Sequence, residues 1–69
     1  MFLDYPCADV TRATFAKSIL EGRDIQCDLR MNYRVPETGE AVHRITVDDE
    51  DALRATAVLV AVGLMQNFT

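Results

Sequence analysis

Ile25-Gln26-Cys27-Asp28-Leu29-Arg30-Met31-Asn32-Tyr33-Arg34-Val35 decides how the rest of the chain is read. Ile25, Cys27, Leu29, Met31, Tyr33 and Val35 share one parity; Gln26, Asp28, Arg30, Asn32 and Arg34 share the other. Successive side chains of a strand point to opposite faces, so this period of two predicts a half-buried strand with one apolar and one charged face. Pro36-Glu37-Thr38-Gly39 interrupts the pattern, and a second strand is expected from Ala41 to Val47. If Val35 faces Ala41, then Tyr33 faces His43, Met31 faces Ile45 and Leu29 faces Val47, and every apolar residue meets a partner on its own face. That register needs a loop of three or five residues, and Gly39 suits the left-handed position of a three-residue turn. A four-residue loop would cross the faces.

Upstream of the strand, Asp9 or Thr11 can cap a helix expected over 10–21. Its apolar positions Ala13, Phe15, Ala16, Ile19 and Leu20 recur at helical spacing. Gly22 stands where a left-handed residue commonly closes a helix. Downstream, Asp48 is expected to begin a second helix, with Asp49, Glu50 and Asp51 in its first turn. Carboxylates there satisfy exposed backbone N–H groups and complement the helix dipole. Leu53, Ala57, Val60 and Leu64 form one apolar stripe, and Ala52, Ala55, Leu59 and Val62 a neighbouring one. Val58, Val60 and Val62 also alternate as a strand would; the acidic cap and the alanines decide for helix. At the other end, Phe2, Leu3 and Tyr5 before Pro6 fit a short edge strand or an extended arm.

The expected fold is therefore one α+β domain over 1–69, in the order α-β-β-α. A two-stranded antiparallel hairpin packs on helices, open to extension by an N-terminal strand or by dimerisation. This order resembles that of the double-stranded-RNA-binding domain, a family of similar length. That family has three strands and a lysine-rich start to its second helix, where Asp48-Asp49-Glu50-Asp51 stands here and would repel phosphate. The resemblance lies in element order and implies no shared function.

Length and charge narrow the function classes. A chain of 69 residues buries only about 60% of the surface its unfolded form exposes, and its core supplies roughly 3–5 kcal/mol. Seven Lys and Arg against eleven Asp and Glu give a formal charge of −4, which disfavours nucleic acid and anionic membranes as partners. The apolar run of the second helix is shorter than the ~20 residues of a membrane span. Two cysteines are too few for a disulfide scaffold, and no stretch reads as a signal peptide, so a cytoplasmic location is expected.

The candidate chemistry is thin. Cys7, Cys27 and His43 offer three soft ligands, but zinc sites use four, with pairs at close spacing. Packing is the better reading for Cys27 and His43. Cys7 precedes a helix that could lower its thiol pKa, with His43 as the one histidine available as a base, yet so short a chain has little room for a pocket. Asp48 to Asp51 lack the spacing of a calcium loop. No catalytic residue, cofactor or metal is therefore assigned.

Surfaces carry the functional reading. Four consecutive acids exceed what capping needs, so Asp48, Asp49, Glu50 and Asp51 are expected to face a basic protein partner. The outward hairpin face carries Arg30, Arg34 and Arg44 and, in the expected register, no aromatic residue to stack bases. The C-terminal half of the second helix is apolar nearly all round and needs covering, so Leu59, Val60, Val62 and Leu64 are expected at a homodimer interface. The expected function is a small acidic non-enzymatic interaction module. A phage- or mobile-element-type inhibitor of a host nucleic-acid-processing or defence complex would fit. The alternatives are a nucleic-acid binder using the arginine face and an accessory subunit of a larger enzyme.

Overall fold

The alternating stretch forms its strand, but with one break that re-aims half of it. The computed structural model describes residues 1–65; residues 66–69 of the expected domain lie outside the described residues. Strand β2 (Cys27–Arg34) pairs antiparallel with β3 (Ala41–Val47). The opening residues form β1 (Phe2–Pro6), antiparallel to the other side of β3, so the sheet order is β1-β3-β2. The fold is α+β, in the order β-α-β-β-α rather than α-β-β-α. Helix α1 (Val10–Glu21) joins β1 to β2, and β3 inserts between them, which makes a split β-α-β unit.

The hairpin departs from the expected register for a reason parity itself supplies. Val35 N–H donates to Glu40 O at 2.9 Å and Gly39 N–H to Val35 O at 2.7 Å, closing a four-residue loop, Pro36 to Gly39. Tyr33 therefore pairs with Val42 and Arg34 with Ala41, crossing the faces. A β-bulge between Arg30 and Tyr33 undoes the crossing: Met31 and Asn32 share the position across from His43, and below them Leu29 faces Ile45 and Cys27 faces Val47. Asn32 takes the left-handed conformation at φ 54°, which asparagine tolerates better than most residues. Two core expectations change. Met31 is 49% exposed, and Tyr33 turns to the outer face of the sheet. Gly39 does adopt the expected positive φ, at 73°.

The helices cover the inner face. Helix α1 buries Ala13, Ala16 and Leu20, while Phe15 stays exposed. Gly22 is right-handed at φ −66°, contrary to expectation. The chain continues in tight turns, Arg23 N–H to Leu20 O and Asp24 N–H to Glu21 O, and Asp24 takes the left-handed position at φ 60°. Aspartate tolerates that region, and the reversal drops Ile25 into the core, where its N–H meets Leu20 O at 3.0 Å. After β3, Asp49–Asp51 form one 3-10 turn before helix α2 (Ala52–Ala61), which buries Ala55 and Leu59. Leu20, Ile25, Ile45, Val47 and Leu59 are the largest fully buried side chains, each contributing about 1.5–3 kcal/mol by leaving water.

Candidate functional site

Four features could carry function. Each is built by a particular strand or turn, and the first is the cluster around His43. The imidazole is buried on the inner face of β3. Asn32 N–H donates to its Nδ1 at 3.3 Å, so the proton sits on Nε2, which donates to Cys7 O at 3.1 Å. The Cys7 thiol meets Asn32 Oδ1 at 3.4 Å. Cys7, Asn32 and His43 are thus neighbours, but both ring nitrogens are occupied by backbone groups, leaving no lone pair for a metal or for a thiol proton. Cys27 lies apart, its Sγ 3.8 Å from Lys17 O, with its thiol pKa raised by burial and by the nearby Glu21 carboxylate. Among the described residues, no three His, Cys, Asp or Glu side chains gather as a metal site. The imidazole acts as a clasp, tying β3 to the bulge in β2 and to the turn after β1.

The second feature is the outer sheet face. Arg44 forms a two-point ion pair with Asp4, at 2.8 and 2.9 Å. That hydrogen-bonded carboxylate raises the guanidinium pKa further. The same guanidinium lies 4.5 Å from the ring centres of both Phe2 and Tyr33, and Arg30 lies 5.7 Å from Tyr33. Phe2 is 63% exposed. The three-arginine face expected from parity is therefore a two-arginine face. Arg34 lies beyond the bulge, and its guanidinium donates to Gly39 O in the hairpin loop. Contrary to expectation, the face does carry aromatic residues. Phe2 and Asp4 were legible as alternating residues had 2–6 been read as a strand; Tyr33 was hidden by the loop length. Arg30 and Arg44 are matched by Asp28 and Asp4, so the face has no net charge.

The third feature is the acidic end. Neither Asp48 nor Asp51 makes a side-chain cap. Asp49 pairs with the Met1 ammonium at 3.2 Å and Asp51 with Arg54 at 3.3 Å. Asp48 and Glu50 are exposed and have no ion-pair partner among the described residues. Asp28 and Asp48 line one shallow depression; Glu21 ends α1, and Asp24 stands on the turn leading into β2.

The fourth is the surface of α2. Leu59 and Leu64, expected at a dimer interface, are buried in the chain's own core. The third strand and α1 cover more of this helix than a bare hairpin could. Val60 is partly exposed and Val62 exposed, and Leu53, at 87%, is the most open large apolar side chain among the described residues. No helix among the described residues is long and apolar enough to cross a membrane. No family model, curated protein or solved structure compared with this chain matches it.

Proposed function

We propose that the chain is a small acidic, non-enzymatic protein-interaction module that self-associates through the α2 flank and docks its acidic end on a basic protein surface. One observation carries the docking reading: the acids at the start of α2 do not cap it. Capping was the ordinary explanation for their presence. With that role unfilled, Asp48 and Glu50 project exposed charge beside Asp28 and Asp49. A row of carboxylates of this kind offers a basic nucleic-acid groove the charge that phosphates would, so an inhibitor occupying such a groove is the concrete form of the proposal. The two free thiols fit a reducing cytoplasm.

The test uses a fluorescent nona-arginine peptide as the basic probe, titrated at low and moderate salt. Asp48→Lys with Glu50→Lys should weaken binding at least tenfold, with the loss shrinking as salt rises. Glu37→Lys with Glu40→Lys, at the hairpin end, makes the same change in net charge and should have a much smaller effect. Equal losses from the two double variants would reduce the attraction to net charge and overturn the site.

A second reading is favoured by Phe2 and Tyr33, which give the outer face the stacking surfaces that nucleic-acid binders use. A gel shift with single-stranded RNA at low salt, lost on Phe2→Ala or Arg30→Ala, would favour it over the acidic module.

A further inference from the structure

Among the described residues, two surfaces on the same side of the molecule have no partner, and one operation satisfies both. The first is the open edge of β1. Met1 N–H donates to Val47 O at 2.8 Å and Val47 N–H to Met1 O at 2.9 Å, a reciprocal pair. Antiparallel ladders alternate, so Leu3 and Tyr5 also point their backbone groups at Ile45 and His43. Phe2 and Asp4 then aim their N–H and C=O groups at the unpaired edge. Pro6 follows on the same parity and has no N–H to offer there.

The second surface is the outer flank of α2. Thr56 Oγ1 reaches Met1 Sδ at 3.4 Å, and Tyr5 OH donates to Leu64 O, so α2 runs along β1. Arg54, on the opposite flank, reaches Asp24 O in the turn after α1. Leu53 and Val60 lie three before and four after Thr56, and helical spacing places them beside it, away from α1. Leu53 is 87% exposed and Val60 partly exposed, so α2 carries an open apolar stripe on the flank next to Thr56.

We infer that this side is a two-fold interface for a second copy of the chain, with β1 pairing antiparallel to the partner's β1 and α2 packing against the partner's α2. The inference rests on the self-association in the proposed function and supplies its geometry. Register selects one solution. Hydrogen-bonded pairs must join the outward residues Phe2, Asp4 and Pro6. Centring the axis on Asp4 sets two carboxylates face to face and asks Pro6 for a proton it lacks; centring it on Phe2 leaves a single pair. Centring it on Leu3 pairs Phe2 with Asp4 of the partner subunit twice by symmetry and keeps Pro6 out of both hydrogen-bonded pairs. In that arrangement the two sheets join into one of six strands, with both α2 helices on its inner face and each set back from the seam. Adjacent strands lie about 4.8 Å apart and packed helices about 8–10 Å.

The test is made on the whole chain, which is short enough for chemical synthesis. Sedimentation equilibrium from 1 to 100 μM should show a dimer. N-methylation of the Asp4 amide removes only the outward N–H, leaves the β3 ladder intact and should raise the dimer dissociation constant about tenfold or more, since two intermolecular bonds are lost. In a Cys7→Ser, Cys27→Ala background, Leu3→Cys should form an interchain disulfide under mild oxidant. The axis sets residue 3 opposite itself in a non-hydrogen-bonded pair, at about 4.5 Å between Cα atoms, within disulfide reach. Circular dichroism checks that both variants fold. A dimer that ignores N-methylation and does not cross-link at residue 3 overturns this interface while self-association stands. A monomer at 100 μM overturns both.

Discussion

Asn32 is the place where the reading of this fold can be broken most cleanly. Its left-handed backbone, φ 54°, is what lets the bulge reconcile a four-residue loop with an apolar inner face. A side chain with a Cβ costs about 1–2 kcal/mol in that region, asparagine less and β-branched residues more. Asn32→Val should therefore destabilise by roughly 2 kcal/mol, about half of the ~3–5 kcal/mol a core of this size supplies. With a urea m-value of about 1 kcal/mol/M for so short a chain, the midpoint should fall by about 2 M. Asn32→Gly keeps the backbone N–H that His43 accepts and relieves the strain, so it should stay within about 0.5 kcal/mol of the parent or exceed it. Met31→Asp, at a residue 49% exposed, should also stay within about 0.5 kcal/mol. Urea unfolding followed by far-UV circular dichroism measures all three. An unbroken strand makes the opposite forecast, with Met31 in the core and residue 32 an ordinary outward position. If Met31→Asp unfolds the chain while Asn32→Val is silent, the bulge and the four-residue loop are both wrong.

Two further outcomes follow from the packing. Tyr5→Phe removes the buried hydrogen bond to Leu64 O and should cost about 1–2 kcal/mol, with faster hydrogen exchange at the Leu64 amide, which bonds Leu59 O; unchanged exchange would mean the Tyr5 hydroxyl does not hold this end of α2. Burial raises the pKa of both Tyr5 and Cys27 above their ordinary values. Groups whose folded pKa is raised contribute stability that is present below the unfolded pKa and lost as pH rises through the folded value. These two should therefore have no effect on the urea midpoint between pH 6 and 8 and should lower it above about pH 9. Cys27→Ala should shrink the alkaline loss, and an unaltered profile would remove Cys27 from the account.

Periodicity revealed what depended on local spacing, and missed what depended on counting residues across a turn. The span of α1 and the inner placement of Leu29, Ile45 and Val47 follow from apolar spacing that no neighbour disturbs. The positive φ of Gly39 was legible because no other residue in the loop tolerates it as well. The loop length was not. Hairpin loops of three, four and five residues are all common, and parity excludes four only for an unbroken β2. The bulge is a second defect that cancels the first, and a single-strand pattern carries no trace of it except an asparagine at position 32. Gly22 failed for a related reason: the left-handed position is set by where Ile25 must enter the core, and Asp24 can supply it. The acidic cluster was legible as charge, yet its lack of a capping role is a matter of backbone geometry.

The surfaces proposed for docking and for self-association are distinct, and their arrangement has a consequence for binding. Met1 lies at the start of β1, and its ammonium pairs with Asp49, so the acidic end sits at the N-terminal end of the pairing edge. A two-fold axis through Leu3 sends the partner's acidic end to the opposite end of the joined sheet. The assembly then presents two acidic patches, one at each end, and a basic partner with two matching sites, or a repeating basic groove, would engage both. The second contact becomes intramolecular once the first is made, and avidity can exceed single-site affinity by about 10²–10⁴ when the spacing matches. Weak, salt-sensitive docking by Asp48 and Glu50 is then sufficient. N-methylation at Asp4 leaves each acidic end intact, so it should weaken binding to a bivalent basic probe while leaving binding to a short monovalent one unchanged. Equal effects on the two probes would separate docking from assembly and refute their cooperation.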